Sequence, residues 1–149
     1  MLKLSRKSEY GSIALKHILN KRLGNTSSAR EIAEHYNIPV ELMAKVLQKL
    51  AKDGLLQSVQ GINGGYALSL PPAKISVADV VESIDGPIGI VECVTSEDDC
   101  KCVQYTTGVC NISDPFMQIQ GKFKNFLSGI SLADLNGPRP EFVQLSPNH

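Results

Sequence analysis

The sequence predicts a mainly α-helical fold with a small β wing, built as a winged helix-turn-helix followed by a long C-terminal helix. Three observations point there. Apolar residues recur at helical spacing in separate segments of the N-terminal half; those segments come in the order helix, helix, turn, helix, hairpin; and another apolar stripe, between residues 116 and 130, stands apart from them. A chain of 149 residues holds one compact domain, or a small domain with an appended element, and is too short for two full-sized ones. The expected organisation is a winged-helix region over 1–74, a helix, cysteine loop and long helix over 75–136, and a mobile, proline-bearing tail over 137–149.

From Ser8 to Asn20, the residues Tyr10, Ile13, Ala14, Ile18 and Leu19 share one face of a first helix. The run GNTS breaks that pattern. Ser28 followed by Glu31 then forms a capping box, the serine accepting a backbone N–H and the glutamate reaching back, which opens a second helix through about Tyr36. YNIP supplies a tight turn into the segment PVELMAKVLQKLAKDG, with Pro39 near the start of a third helix and Gly54 past its end. Leu42, Met43, Val46, Leu47 and Leu50 make its apolar stripe, leaving Glu41, Lys45, Gln48, Lys49 and Lys52 on the other side.

The next segment, LLQSVQGINGGYALSLPP, is strand-like on either side of GINGG, whose glycines and Asn63 can take the positive φ values of a hairpin tip. A hairpin directly after that third helix is the wing. ISVADVVESIDGP brings a second capping box, Ser76 to Asp79, an apolar face of Val77, Val80, Val81 and Ile84, and a stop at Gly86 and Pro87. The cysteine-rich run that follows has little periodicity and reads as a loop. Phe116, Ile119, Phe123, Phe126, Leu127 and Ile130 then line one side of a long helix from near Asp114. This stripe can fold back as core or pair with a second copy of itself. Pairing is the expectation, which makes this a dimerisation helix, because helix-turn-helix proteins usually work in two-fold pairs.

A hydrophobic fraction of 42% and a charged fraction of 20% argue for a folded core and against wholesale disorder. Net charge is zero, but residues 1–74 carry eleven Lys/Arg against five Asp/Glu, whereas residues 75–149 carry four against ten. The basic half can meet phosphates while the acidic half stays away from them. No apolar run approaches a spanning helix and no secretory leader is visible, so the expectation is a cytoplasmic protein without membrane contact. In that compartment the cysteines, four within residues 93–110, favour a metal or redox site over a disulfide framework. No nucleophile–base constellation, nucleotide loop or paired-acid motif is present, which argues against an enzyme.

The segments LSRKSEYGSIAL, REIAEHYNIPVELMAKVLQKLAKDGLL, GINGGYALS and ISVADVVESIDGPIGIVEC, with spaced cysteines and ISLADL after them, resemble the IscR-type winged-helix transcription regulators. The resemblance runs from about Met1 to Leu135. It implies a homodimer on double-stranded operator DNA, with an iron–sulfur cluster in the cysteine loop that senses redox state, nitric oxide or iron–sulfur status. It also implies that the third helix enters the major groove and the wing follows the minor groove. Residues placed to reach bases or phosphates are then Glu41, Leu42, Lys45, Gln48 and Lys49 on that helix, Ser28 and Arg30 at the start of the second, and Gln60 and Asn63 in the wing. Many members carry an arginine where this chain has Gln60, so minor-groove reading here differs.

Cluster iron prefers thiolates, and a loop can present several at one point. Cys93 and Cys110 match the outer positions of the family's cysteine motif. The middle one is Cys102 or Cys100, with Cys102 favoured for its shorter interval to Cys110. Glu9 matches an acidic residue that serves as a further ligand in some members, and His35 matches a histidine that joins it in a subgroup holding a 2Fe–2S cluster. The 2Fe–2S form is thus favoured here and 4Fe–4S is the alternative. Zinc fits less well, because no paired C-x2-C ligands occur. The competing expectations are a cluster-free regulator answering to thiol oxidation, zinc or a partner, and a cluster carrier that does not bind DNA.

Overall fold

The computed structural model describes residues 3–21, 26–91 and 101–137. Its helices are α1 (Arg6–Asn20), α2 (Ala29–Tyr36), α3 (Val40–Lys52), α4 (Val77–Asp85), α5 (Val103–Thr106) and α6 (Ser113–Ser128), with short 3-10 turns at Pro72–Lys74 and Asp134–Asn136. Strands β1 (Leu56–Val59) and β2 (Gly65–Leu68) pair antiparallel, from Leu56 opposite Leu68 to Val59 opposite Gly65. The winged helix-turn-helix and the long C-terminal helix are as expected. The tail beyond Gly137 lies outside the described residues.

The α1 helix opens two residues before the expected Ser8, because Ser5 caps it by accepting the Ser8 N–H at 3.1 Å. At the start of α2 only half of the expected capping box forms. Ser28 Oγ accepts the Glu31 N–H at 3.1 Å, but the Glu31 carboxylate is taken by Lys21 Nζ and by His17 Nε2. Asn37 ends α2 in the left-handed region at φ 54°, its N–H reaching back to Ala33 and Glu34 carbonyls. Asn63, expected at positive φ, does not adopt it, and Gly61 and Gly65 carry the positive values around the tip instead. Gly65 is required twice over. Its φ is 151°, and a Cβ there would stand 2.6 Å from the Ser27 carbonyl oxygen.

That close approach exists because Thr26 and Ser27, just before α2, lie against the wing. Ser27 and Tyr66 exchange backbone hydrogen bonds at 3.0 and 2.8 Å, and Thr26 Oγ1 donates to the Asn63 carbonyl at 2.6 Å. The core beneath is built from Leu15 of α1, Ile32 of α2, Met43, Leu47 and Leu50 of α3, Leu56 of β1 and Ile75, all buried. Leu42, assigned to the apolar stripe, is only half-buried, so the buried face of α3 turns on Met43, Val46, Leu47 and Leu50.

Helix α4 joins this core to the C-terminal part. Gly11 lets α1 lie close to it, since a Cβ there would meet Ile84 Cδ1. Asp85 accepts from Ser5 Oγ at 2.6 Å and Ser8 Oγ at 2.7 Å, and Ser83 Oγ donates to Asp53 at the end of α3 at 2.6 Å. The expected box is complete: Asp79 N–H donates to Ser76 Oγ at 3.1 Å and Ser76 N–H to Asp79 Oδ2 at 2.8 Å. The sequence I-S-V-A-D-V of residues 75–80 returns as I-S-L-A-D-L at 130–135, and the second copy closes the same way, Ser131 N–H donating to Asp134 Oδ2 at 2.8 Å. The two copies pair antiparallel at Ser76 and Ser131, Val77 N–H donating to Ile130 O at 2.9 Å and Leu132 N–H to Ile75 O at 2.7 Å. This bridge fastens the chain after α6 to the winged-helix core.

Candidate functional site

The polar face of α3 is open to solvent. Glu41, Lys45, Gln48 and Lys49 are exposed and Leu42 is half-buried, so the helix-turn-helix presents the side chains that the sequence assigned to base and phosphate contact. Lys49 is partly engaged, its Nζ lying 2.9 Å from Asp53 Oδ2, whereas Lys45 has no ion pair among the described residues. Ser28 spends its hydroxyl on the α2 cap, leaving the helix N-terminus and exposed Arg30 for phosphate. Gln60 and Asn63 are exposed on the wing. The Asp53 carboxyl is held below its ordinary value by the hydrogen bond from Ser83, then by that from Lys49.

A second cluster lies where α1 meets α2. His17, absent from the sequence-based set, is at its centre: Nε2 is 3.2 Å from Glu31 Oε1 and Nδ1 is 3.2 Å from the Tyr36 hydroxyl. His35 packs its ring at 5.5 Å from that of His17 and 4.6 Å from that of Tyr36. Burial pushes the Glu31 carboxyl up, but the bonds from Lys21 and His17 outweigh it and the net shift is downward. No sequence spacing links His17 to His35 and Tyr36, which only the folded chain brings together.

Of the proposed cluster ligands, Cys93 lies outside the described residues, as does Cys100. Cys102 and Cys110 are free thiols, both half-buried. They flank α5, a single helical turn in what the sequence presented as loop. Cys102 caps its start, and its Sγ lies 3.4 Å from Gln104 Oε1, while the Cys110 N–H donates to the Gln104 carbonyl at 3.0 Å. Gln104 therefore holds both cysteines to one turn. Glu9 pairs with Arg6 at 2.9 Å and His35 is exposed. No three His, Cys, Asp or Glu side chains among the described residues stand together as a metal site. The donor set itself fits an iron–sulfur group, because unpaired thiols on a short turn are the ligands that cluster iron takes.

Helix α6 leaves the cysteine segment with its apolar side half covered. Phe123 and Leu127 pack on Ala78, Val81 and Ile88, whereas Ile119 and Phe126 stay 50% and 65% exposed and no residue of the helix is buried. No helix among the described residues is long and apolar enough to cross a membrane.

Comparison with known proteins matches residues 4–137 to the profile of the Rrf2 family, described as iron-dependent transcriptional regulator. A Haemophilus influenzae protein named as an HTH-type transcriptional regulator is 32% identical over 139 residues, covering 93% of this chain and 89% of that one. Among solved structures, CymR, the global cysteine regulator of B. subtilis, superposes with a TM-score of 0.69 at 27% identity, covering 91% of this chain and 96% of that one. IscR of T. potens superposes with a TM-score of 0.64 at 24% identity over 91% of this chain and 86% of that one, which extends the likeness of fold.

Proposed function

The chain belongs to the Rrf2 family of transcription regulators, and on that premise we propose that its affinity for operator DNA is set by an iron–sulfur cluster held in the cysteine segment of a homodimer. The family makes it a DNA-binding regulator and not an enzyme. The observation that carries the cluster reading is the gathering of all four cysteines within residues 93–110, and the free, half-buried state of Cys102 and Cys110 around one turn supports it.

Cys93, Cys102 and Cys110 would hold the cluster, with Cys100 the alternative middle ligand. Glu9 and His35, at the base of α1 and the end of α2, would complete the set from the partner subunit. Bound there, the cluster supplies a redox-active centre whose oxidation, loss or conversion is the signal. The residues of this chain then carry it. A displacement of the cysteine segment moves α6, whose Phe123 and Leu127 press on α4. In turn α4 is tied to α1 through Asp85 and to α3 through Ser83 and Asp53, so the recognition helix follows. The exposed Ile119 and Phe126 are the surface on which a second copy of α6 would pack, setting the spacing of the two recognition helices.

The test is anaerobic purification with iron and acid-labile sulfide analysis. Matching iron and sulfide that disappear in Cys93→Ala and in Cys110→Ala support the cluster; stoichiometric iron retained in both variants contradicts the ligand assignment. A second reading, thiol sensing without a cluster, is favoured by the likeness to a regulator named for cysteine. It predicts a colourless, iron-free protein that resists reconstitution and whose operator binding changes with oxidation of Cys102 or Cys110.

A further inference from the structure

At the tip of the wing, Ile62 has a relative exposure of 105%, the highest of any large apolar side chain among the described residues. The other strongly exposed ones, Val103, Val109 and Phe126, belong to the cysteine segment and α6, where a second copy can cover them. Among the described residues nothing covers Ile62. The tip is nonetheless rigidly placed: Thr26 holds the Asn63 carbonyl at 2.6 Å, Gly64 N–H closes on the Gly61 carbonyl at 3.0 Å, and Tyr66 pairs with Ser27. It stands beside a notch lined also by Ser28 at the N-terminus of α2 and by the Lys21–Glu31 pair. Exposed amides, Gln60 and Asn63, lie on either side of it in sequence.

We propose that the wing reads A·T base pairs in the DNA minor groove without a cation, Ile62 wedging against the groove floor while Gln60 and Asn63 donate to its acceptors. The proposal rests on the operator-binding reading above. Minor-groove readers combine amides, which meet the adenine N3 and thymine O2 acceptors, with an apolar wedge; a guanine N2 amino group on the floor would collide with a branched aliphatic side chain. A β-branched wedge held on a pinned turn loses little rotamer freedom on binding, which suits it to that contact. The uncharged Gln60 leaves apolar fit and groove shape, in place of charge, as the means of selection.

The experiment uses an operator duplex selected from a random pool by the full-length protein, with binding followed by fluorescence anisotropy across a salt series. Ile62→Ala is expected to weaken binding about tenfold, the effect of losing most of one buried aliphatic side chain, with no change in salt slope. Ile62→Lys should steepen the slope by about 0.9, one added phosphate contact. Replacing adenine by 2,6-diaminopurine at the wing contacts adds an N2 amino group to the minor groove and should weaken the wild type but not Ile62→Ala. Inosine·cytosine pairs there leave the groove floor unchanged and should be tolerated. Because Ile62 touches no core residue, the thermal midpoint serves as a folding control. Wild-type binding by Ile62→Ala, or indifference of the wild type to diaminopurine, would overturn the wedge while leaving operator binding intact. Failure of the wild type to enrich any duplex would overturn both.

Discussion

Helices α3 and α6 are both amphipathic, and they meet opposite fates. The 13 residues of α3 bury Met43, Val46, Leu47 and Leu50 at 3% exposure or less, against α1, α2 and β1. The 16 residues of α6 bury none, and Phe126 remains 65% exposed. The difference shows which half of the molecule is satisfied by its own chain. The winged helix carries a closed core. The α6 face is left open among the described residues, which is what the proposed dimer requires of it.

The contrast breaks most sharply at Leu47. Leu47→Ala should lower unfolding free energy by about 3 kcal/mol, within the range for a fully buried leucine, and move the urea midpoint accordingly. Phe126→Glu should instead leave the core standing and convert a dimer to a monomer in sedimentation; a variant that still sediments as a dimer would remove α6 from the interface. A smaller effect falls on the seam between the halves. Ser131→Ala removes the cap that closes on Asp134 and should cost about 1 kcal/mol, read as a lower thermal midpoint. The smallest is a pH effect at the joint between α3 and α4. Asp53 titrates below its ordinary value of 3.8 in the folded state, so its contribution is present above about pH 3.8 and is lost as pH falls through the lower folded value. The thermal-midpoint gap between wild type and Ser83→Ala should therefore persist at neutral pH and close in acid.

What could be read from the sequence follows the same division. Helix caps are local, and Ser28 and the Ser76–Asp79 pair were legible because each signal lies within four residues of its partner. Glu31 was misread because its competitors Lys21 and His17 arrive from another helix. At the wing tip the sequence offered the glycines and Asn63 for positive φ, and only Gly61 and Gly65 take it, while Asn37, at the end of α2, adopts the left-handed region unforeseen. Helix α5 is a single turn, too short for any apolar period to reveal. The second I-S-x-A-D box was visible as letters, yet its pairing with the first needed the whole of α6 to return the chain to the core. The solvent-exposed face of α3 was read directly from its polarity. The ligand set rested on the family resemblance, because Glu9 and His35 belong to helices remote in sequence from the cysteines and no spacing connects them.

The central claim, that cluster state sets DNA affinity, is tested most directly by titrating one selected operator duplex with the same preparation before and after the cluster is removed anaerobically by a chelator. The account predicts that the two forms differ at least tenfold in affinity, and that Cys110→Ala binds as the stripped form does before and after treatment. Equal affinity of the loaded and stripped wild type, on a duplex that both bind with sequence preference, would contradict it.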